Sequence, residues 1–331
     1  MSSFTPPVSH TRPSAATGSG ATPPTSFHLS AEQIRSFDEN GFLVVKHRIT
    51  GSLLTRVQEA GHRWIEQARA AEGQANAGQA KNPNQADTDY AFAKRPGGKT
   101  VPFRVNYLHN KGESASLELL GSPEILAIAE SLAGPDFVPT YESMVFKMAG
   151  DGEIIPWHQD AVFQQRRHRI FNIDIYLDQA SRDGGALRVI PKSQTAIHDV
   201  CKMNDGTYDW INGPHEIVAL EPGDVLIHDD MVLHGSPRTL QNQLRRVIYF
   251  EFRPAAQIFE EGPWDRSFVD QRLRLLPLAL KRHQDAFPER PQFQWNATPS
   301  LRPRVEADEA TALRVVHTVH TPGSYCSANS K

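Results

Sequence analysis

The tripeptide His158-Gln159-Asp160 is the part of this sequence best suited to metal chemistry. In an extended strand, residues i and i+2 point to the same face, so His158 and Asp160 can bind one metal ion side by side. One further histidine would complete a set of two histidines and one carboxylate. Such a set leaves positions open on non-haem Fe(II) for a bidentate co-substrate and for dioxygen. The tripeptide therefore indicates an iron site that reacts with dioxygen.

Arg245 is the predicted anchor for that co-substrate. A 2-oxo acid chelates iron through its keto oxygen and one carboxylate, and its distal carboxylate then needs a planar, bidentate cation such as guanidinium. Arg245 shares a strand face with Tyr249, whereas Arg246 shares the more apolar face with Ile248 and Phe250. We therefore predict that Arg245 points inward, with Arg246 as the alternative.

Two His-Asp pairs compete for the role of metal motif, because His228-Asp229-Asp230 repeats the residue types of the first. The first pair is followed by His234 and then by Arg245. For the second pair, the corresponding later histidine is His283, which falls on a predicted helix. Gln294 then stands at the position where an arginine is needed. The predicted metal ligands are thus His158, Asp160 and His234.

The elements around these residues indicate a β-rich fold. Short strand patterns separated by Asp-Gly, Gly-Gly and Pro-Gly-Asp fill residues 138–252, which is typical of a sandwich or jelly roll. The segment 171–178 alternates, with Asn172, Asp174 and Tyr176 on one face and apolar residues on the other. We expect the apolar face to pack on helices and the polar face to line the interior of the roll.

Helical patterns flank the strands. Ser30-Ala31-Glu32-Gln33 is a capping box that begins a helix, and Asn40-Gly41 ends it. Apolar residues at helical spacing predict further helices at about 52–72, 123–132 and 267–282.

Composition divides the chain into a tail, a domain and a second tail. Residues 1–28 carry too few large apolar groups to fold and are predicted to be disordered. One domain is expected over 29–300, followed by a C-terminal tail over 301–331. Residues 73–100 are rich in Gln, Asn and Gly, which predicts a mobile loop that serves either as a lid or as a passive insertion.

Charge gives no reason to expect a macromolecular partner. The formal net charge is −3 and the pI is about 6.5, so neither nucleic acid nor a membrane surface is an expected partner. No secretory signal or membrane span is visible, which makes the cytoplasm the expected location. The sequence leaves a homodimer open.

Several separate motifs together resemble one known family. They are Phe37-Asp38-Glu39-Asn40-Gly41-Phe42, Trp157-His158-Gln159-Asp160, the run from Asp183 to Ser193, Gly223-Asp224, and His234-Gly235-Ser236 with Arg245. In this order, over roughly residues 30–254, they resemble the phytanoyl-CoA dioxygenase family. Lys192 and Gln194 depart from that family's Pro-Gly-Ser-His turn, which we take as peripheral.

The resemblance implies a double-stranded β-helix (a cupin-like jelly roll), Fe(II) and 2-oxoglutarate, with ascorbate as a reductant in vitro. Some family members are halogenases that lack the carboxylate ligand. The presence of Asp160 therefore favours hydroxylation or a related oxidation of an unactivated C–H bond in a small organic substrate, with release of succinate and CO2. Two alternatives remain, a cupin-like enzyme that uses zinc or manganese and a cupin-like roll that binds a small molecule without catalysis.

The resemblance also suggests residues that contact the co-substrate or substrate. Gln159 and Ser236 match positions that can hydrogen-bond ligands in relatives, and Arg104 and Asn106 match positions of co-substrate or substrate groups. Asn172, on the predicted inner face, joins this cofactor-binding set. Weaker candidates are Lys147 and the basic cluster Arg166, Arg167 and Arg169, for which a solvated loop is the alternative.

Overall fold

The computed structural model describes residues 26–75, 89–94, 100–148, 154–239 and 242–303. Nearly all of both predicted tails, 1–28 and 301–331, lies outside these residues. Most of the predicted lid, 73–100, lies outside them as well, so its role stays a prediction.

Helices precede and follow a strand-rich centre. The helices are α1 (Ala31–Asn40), α2 (Gly51–Ala75), α3 (Ala115–Leu120), α4 (Pro123–Ala133), α5 (Val200–Met203), α6 (Ala255–Glu261), α7 (Arg266–Leu273) and α8 (Leu275–Ala286). The strands are β1 (Phe42–Val45), β2 (Tyr90–Lys94), β3 (Thr100–Asn106), β4 (Phe137–Lys147), β5 (Ile155–His158), β6 (Phe171–Tyr176), β7 (Leu187–Ile190), β8 (Glu216–Val218), β9 (Val225–Asp229), β10 (Leu233–Ser236) and β11 (Arg245–Pro254).

The first predicted helix has the predicted ends. The Ser30 side chain accepts from the Gln33 backbone N–H, and the Gln33 side chain accepts from the Ser30 N–H, which is a complete capping box. Gly41 ends α1 in the left-handed region, with φ of 79°. None of the helices in the described ranges is both long and apolar enough to cross a bilayer.

The helix predicted at 267–282 is two helices, which corrects the prediction. Helix α7 ends at Leu273 and α8 begins at Leu275. Pro277 is the reason, because its ring carries no N–H for the carbonyl of Leu273 and would clash with that carbonyl in a continuous helix. In the first turn of α8 the same proline is tolerated.

The strands form two antiparallel sheets. The larger sheet has the order β1-β9-β6-β11-β4-β3-β2, and the smaller has the order β5-β10-β7-β8. Their inner faces meet around a small apolar core that includes Tyr176, Leu226 and Val247 from the larger sheet and Leu187 and Val189 from the smaller. This arrangement confirms the predicted mostly-β jelly roll with flanking helices.

The outer face of the larger sheet carries the main hydrophobic core. Ile173, Ile175 and Ile248 are buried there together with helical residues such as Trp64 and Ile125. The neighbouring residues on β6 point the other way, into the roll. The predicted division of this strand into an apolar face under helices and a polar interior face is therefore confirmed.

Candidate metal centre

Two histidines face each other across adjacent strands of the smaller sheet. His158 on β5 is the direct antiparallel partner of His234 on β10. Their ring centroids lie 4.2 Å apart. The two histidines are far apart in the sequence, and the pairing of β5 with β10 brings them together.

Trp157 fixes which way β5 faces. Its ring stacks on Trp210 with centroids 4.9 Å apart and planes 11° apart, on the outer side of the sheet. Its backbone N–H donates to Asn204 Oδ1 at 2.9 Å, and its carbonyl accepts from Asn204 Nδ2 at 2.8 Å. Since successive strand residues point to opposite faces, His158 must point into the roll.

Backbone carbonyls set the orientation of both imidazoles. His158 Nδ1 donates to Pro156 O at 2.7 Å, and His234 Nδ1 donates to Val232 O at 2.9 Å. A carbonyl oxygen can only accept, so both rings carry their proton on Nδ1. Each Nε2 is then left with a lone pair, which is the arrangement found in histidines that bind metal.

Asp160 completes the group from the residue that follows the end of β5. Its Oδ1 lies 3.3 Å from His158 Nε2, and its Oδ2 lies 3.8 Å from His234 Nε2. The three potential ligand atoms lie within 4.8 Å of one another, and no other such group of three occurs in the described part of the chain. Two imidazoles and one carboxylate are a donor set that suits Fe(II).

The protonation states of this group favour metal binding. Burial raises the pKa of Asp160, but the neighbouring imidazoles of His234, His158 and His228 outweigh it and hold that pKa well below the usual range. Burial and the neighbouring His158 lower the pKa of His234 to about 3. At neutral pH the site thus presents a carboxylate and a neutral imidazole, the forms that bind a metal cation.

Arg245 lies on the inner face of β11 and is fully buried. One guanidinium nitrogen, Nη1, donates to Gly185 O at 2.5 Å. The other donors, Nε and Nη2, meet no hydrogen-bond partner among the described residues. Buried donors without partners are rare because each costs about 1–3 kcal/mol. An anionic ligand would satisfy them.

Gly185, whose carbonyl oxygen binds Arg245, lies at a position that suits glycine. Its φ is 73°, and a Cβ at this position would lie 2.9 Å from Thr239 Oγ1 and 3.3 Å from Lys147 Nζ. A side chain here would therefore be strained and crowded. The Gly-Gly turn between β6 and β7 thus supplies a carbonyl that holds one end of the guanidinium.

Arg246 is engaged on the opposite face. Its Nε and Nη2 each donate to an oxygen of Asp178 at 2.8 Å, and its Nη1 donates to Gln58 O at 2.6 Å. The contact with Asp178 joins β11 to the residues that follow β6, and the contact with Gln58 joins it to helix α2. These donors of Arg246 are therefore not directed toward the interior.

The family model described as phytanoyl-CoA dioxygenase (PhyH) matches residues 37–247 of this sequence, a span that contains the His-Asp-His group and Arg245. The chain belongs to the phytanoyl-CoA dioxygenase family.

Relatives of the family agree with this assignment. The peroxisomal phytanoyl-CoA dioxygenase of Rattus norvegicus is 24% identical over 236 residues, which are 66% of this chain and 67% of the rat protein. L-proline trans-4-hydroxylase of Streptomyces griseoviridis is 33% identical over 101 residues, 28% of this chain and 37% of that protein. The crystal structure of EvdMO1 has a TM-score of 0.55 and 27% identity, and the match covers 68% of this chain and 50% of that chain.

Within the described residues, the competing motif does not form a metal-binding group with His283. Asp229 binds both terminal nitrogens of Arg166 at 2.6 Å. His283 lies in the helical layer, where its Nδ1 donates to Glu118 O at 2.8 Å. His228, in contrast, points inward and contacts Asp160. It therefore lies beside the predicted metal ligands, whereas His283 contacts the helix that carries Glu118.

Several residues suggested by the family resemblance line the interior. Ser236 on β10 has a buried hydroxyl without a partner in the described ranges. Arg104 and Asn106 pair with inner-face residues of β4, and Asn106 Oδ1 accepts from the Tyr141 hydroxyl. Asn172 donates to Asp160 Oδ2 at 3.1 Å, so it contacts a metal ligand directly.

Lys147 is buried beside Arg245, its partner in the β4–β11 register. Its ammonium donates to the carbonyls of Ser236 and Pro237. Burial, reinforced by Arg245, lowers the pKa of Lys147 well below its usual value. Lys147 thus lies at the same end of the interior as Arg245, with its charged form disfavoured.

Gln159 is not brought to the metal group. Its side-chain amide donates to Ala196 O at 2.9 Å and to Met231 O at 2.6 Å, and its oxygen accepts from the His198 N–H. The Gln159 side chain is therefore satisfied by nearby backbone groups, because residue 159 faces away from its two neighbours in the motif.

Two of the three arginines in the basic cluster bind carboxylates of the protein. Arg166 binds Asp229, as described above, and Arg169 binds Asp38 at 2.7 and 2.8 Å. Arg167 is exposed. The cluster joins the segment after β5 to its surroundings, and none of its bidentate contacts is directed at the metal group.

Two features escaped the sequence reasoning. One is the turn taken as peripheral, in which the Ser193 hydroxyl accepts from the Leu233 N–H at 2.7 Å and so supports the strand that carries His234. The other is the contact of His228 with Asp160 and with Asp174. The alternation of polar residues along β6 was the available signal, since it placed Asp174 inside.

Proposed function

We propose that this protein is an Fe(II)- and 2-oxoglutarate-dependent dioxygenase. In this proposal it hydroxylates, or otherwise oxidises, an unactivated C–H bond of a small organic substrate and releases succinate and CO2. The observation that carries the proposal is the inner surface itself. It combines a His-Asp-His donor set with a fully buried guanidinium whose Nε and Nη2 have no partner in the described ranges.

The protein residues would hold the metal from one side. His158, Asp160 and His234 occupy neighbouring positions and leave the opposite side to other ligands. When bound, Fe(II) would supply the binding and activation of dioxygen that amino-acid side chains cannot provide. The hydrogen bonds to Pro156 O and Val232 O keep both imidazoles directed at the same point without any ligand present.

Arg245 would bind the distal carboxylate of 2-oxoglutarate. The two free donors of its guanidinium suit a bidentate carboxylate, and the contact with Gly185 O holds the group in place before the ligand arrives. The unpartnered hydroxyls of Ser236 and Tyr176 in the described interior offer further hydrogen bonds.

Hydroxylation is the proposed outcome because the carboxylate ligand is present. Asp160 fills the position that a halide would need, and its low pKa keeps it available as a ligand. The similarity to a protein named L-proline trans-4-hydroxylase also supports hydroxylation. On the same inner face, Asn106 and Tyr141 would offer polar contacts to a substrate.

Succinate formation tests the proposal. The full chain, supplied with Fe(II), 2-oxoglutarate, ascorbate and air, should form succinate slowly without substrate and faster with a true substrate found in a metabolite screen. Zn(II) in place of Fe(II) serves as the control and should give none. Tight metal binding without any dependence on 2-oxoglutarate would contradict the proposal and favour the binding-protein alternative.

A further inference from the structure

Asp160 has two oxygens in different surroundings. Oδ1 is the oxygen nearest to His158 Nε2, at 3.3 Å. Oδ2 lies 3.1 Å from His228 Nε2 and accepts from Asn172 Nδ2 at 3.1 Å. Oδ2 also lies 3.8 Å from His234 Nε2, but its two donors favour Oδ1 as the oxygen that binds a metal.

His228 is itself held rigidly. It is fully buried on β9, and its Nδ1 lies 2.8 Å from Asp174 Oδ2 on the neighbouring strand β6. The imidazole is therefore fixed between two carboxyl groups, one on each nitrogen. Because the Asp160 carboxylate can only accept, Nε2 is the donor in that contact.

We propose that His228 is a positioning residue, which directs the Asp160 carboxylate so that Oδ1 alone binds the metal. This inference rests on the metal centre of the proposed function. A carboxylate free to rotate could bind through both oxygens and occupy a position that the co-substrate or dioxygen needs. The hydrogen bond from His228 would prevent that rotation.

Asn172 cannot replace His228 in this role. Its Nδ2 is shared between Asp160 Oδ2 at 3.1 Å and Asp230 Oδ1 at 3.0 Å. His228 instead directs one nitrogen at Asp160 and uses the other for its own support. Hydrogen-bonding partners of metal ligands of this kind typically contribute about 10- to 100-fold to metal affinity.

The test compares three variants of the full chain with the wild type. His228→Phe removes the donor, His228→Gln keeps an N–H donor at a similar reach, and His158→Ala removes a ligand. The measurements are the dissociation constant for Co(II), from anaerobic calorimetry, and the visible absorption spectrum of the Co(II) protein. The spectrum reports coordination number and geometry.

We expect His228→Phe to weaken Co(II) binding about 10- to 100-fold and to change the spectrum, while His228→Gln stays nearer to the wild type in both. His158→Ala should bind far more weakly than either. His228→Phe leaves Asp174 buried without its partner, so the double variant with Asp174→Leu is measured as well. Removing both polar partners is milder for folding than removing one.

Three outcomes would overturn a part of this reasoning. A wild-type dissociation constant and spectrum in His228→Phe, or in the double variant if the single one does not fold, would show that Asp160 needs no such support. Loss of Co(II) from both His228 variants as complete as in His158→Ala would make His228 a ligand. Failure of the wild type to bind Co(II) would instead contradict the proposed metal centre itself.

Discussion

Arg245 and Arg246 are neighbours on β11, yet they belong to regions of opposite character. On the outer, helix-packed face, the guanidinium of Arg246 donates hydrogen bonds to Asp178 and to Gln58 O. On the inner face, the equally buried guanidinium of Arg245 keeps two donors without a partner in the described ranges. The folded protein satisfies the Arg246 guanidinium, whereas the Nε and Nη2 donors of Arg245 call for a ligand.

The same contrast extends to other side chains of the two faces. The Tyr176 and Ser236 hydroxyls on the inner faces are buried and unpartnered within the described chain, while Ile173 and Ile248 on the outer face are packed against helices. Unsatisfied buried groups cost stability, and those of Arg245, Tyr176 and Ser236 lie on the inner faces that also carry the His-Asp-His group, which indicates a binding site there. Substitutions on the two faces should therefore affect different properties.

The largest effect is expected from the metal ligands. His158→Ala, Asp160→Ala and His234→Ala should each abolish detectable Fe(II) binding and succinate formation, because three protein ligands leave no spare one. Anaerobic calorimetry with Fe(II) measures the first property, and circular dichroism confirms that each variant is folded. Activity close to that of the wild type in any of the three would show that the residue is not a ligand.

Arg246→Ala should affect folding alone. It removes one partner of a largely buried ion pair, which costs about 3–5 kcal/mol in the free energy of unfolding. Urea denaturation measures this loss, and a double-mutant cycle with Asp178→Ala separates the pair from other effects. The requirement for 2-oxoglutarate should be unchanged under conditions in which the variant is folded. A large increase in that requirement would mean that the two arginines have been assigned to the wrong faces.

Arg245→Ala should affect mainly the binding of the co-substrate. A hydrogen bond to a charged group contributes about 1.5–3 kcal/mol, so the 2-oxoglutarate requirement should rise roughly 10- to 100-fold. Fe(II) binding should persist, and the free energy of unfolding should fall less than in Arg246→Ala. The KM for 2-oxoglutarate in the succinate assay is the measurement, with Arg246→Ala as the matched control.

Ser236→Ala is expected to have the smallest effect. Its hydroxyl has no partner in the described protein to lose, so stability should be unchanged. One neutral hydrogen bond to the co-substrate contributes about 0.5–1.5 kcal/mol, which predicts roughly a two- to tenfold rise in the KM for 2-oxoglutarate. A measurable fall in the free energy of unfolding with an unaltered KM would contradict a ligand-binding role for this hydroxyl.

Local patterns in the sequence determined much of this protein. The capping box at Ser30 fixed the start of α1, and the two-residue period of β6 fixed which of its side chains face the helices. The spacing of His158 and Asp160 indicated a shared metal, because strand geometry makes i and i+2 neighbours. These features depend on residues close together in the chain, so a single sequence is enough to reveal them.

The tertiary structure decided what depends on long-range pairing. The β5–β10 register places His158 opposite His234, and the β6–β9 register brings Asp174 and His228 together. Gln159, adjacent to two predicted ligands, turned away into backbone contacts. Arg245 was expected to face inward, but its contact with Gly185 O and its two unpartnered donors in the described ranges became visible only in the packed structure. A short-range pattern states which face a side chain takes, but only the packing of two sheets determines what meets it there.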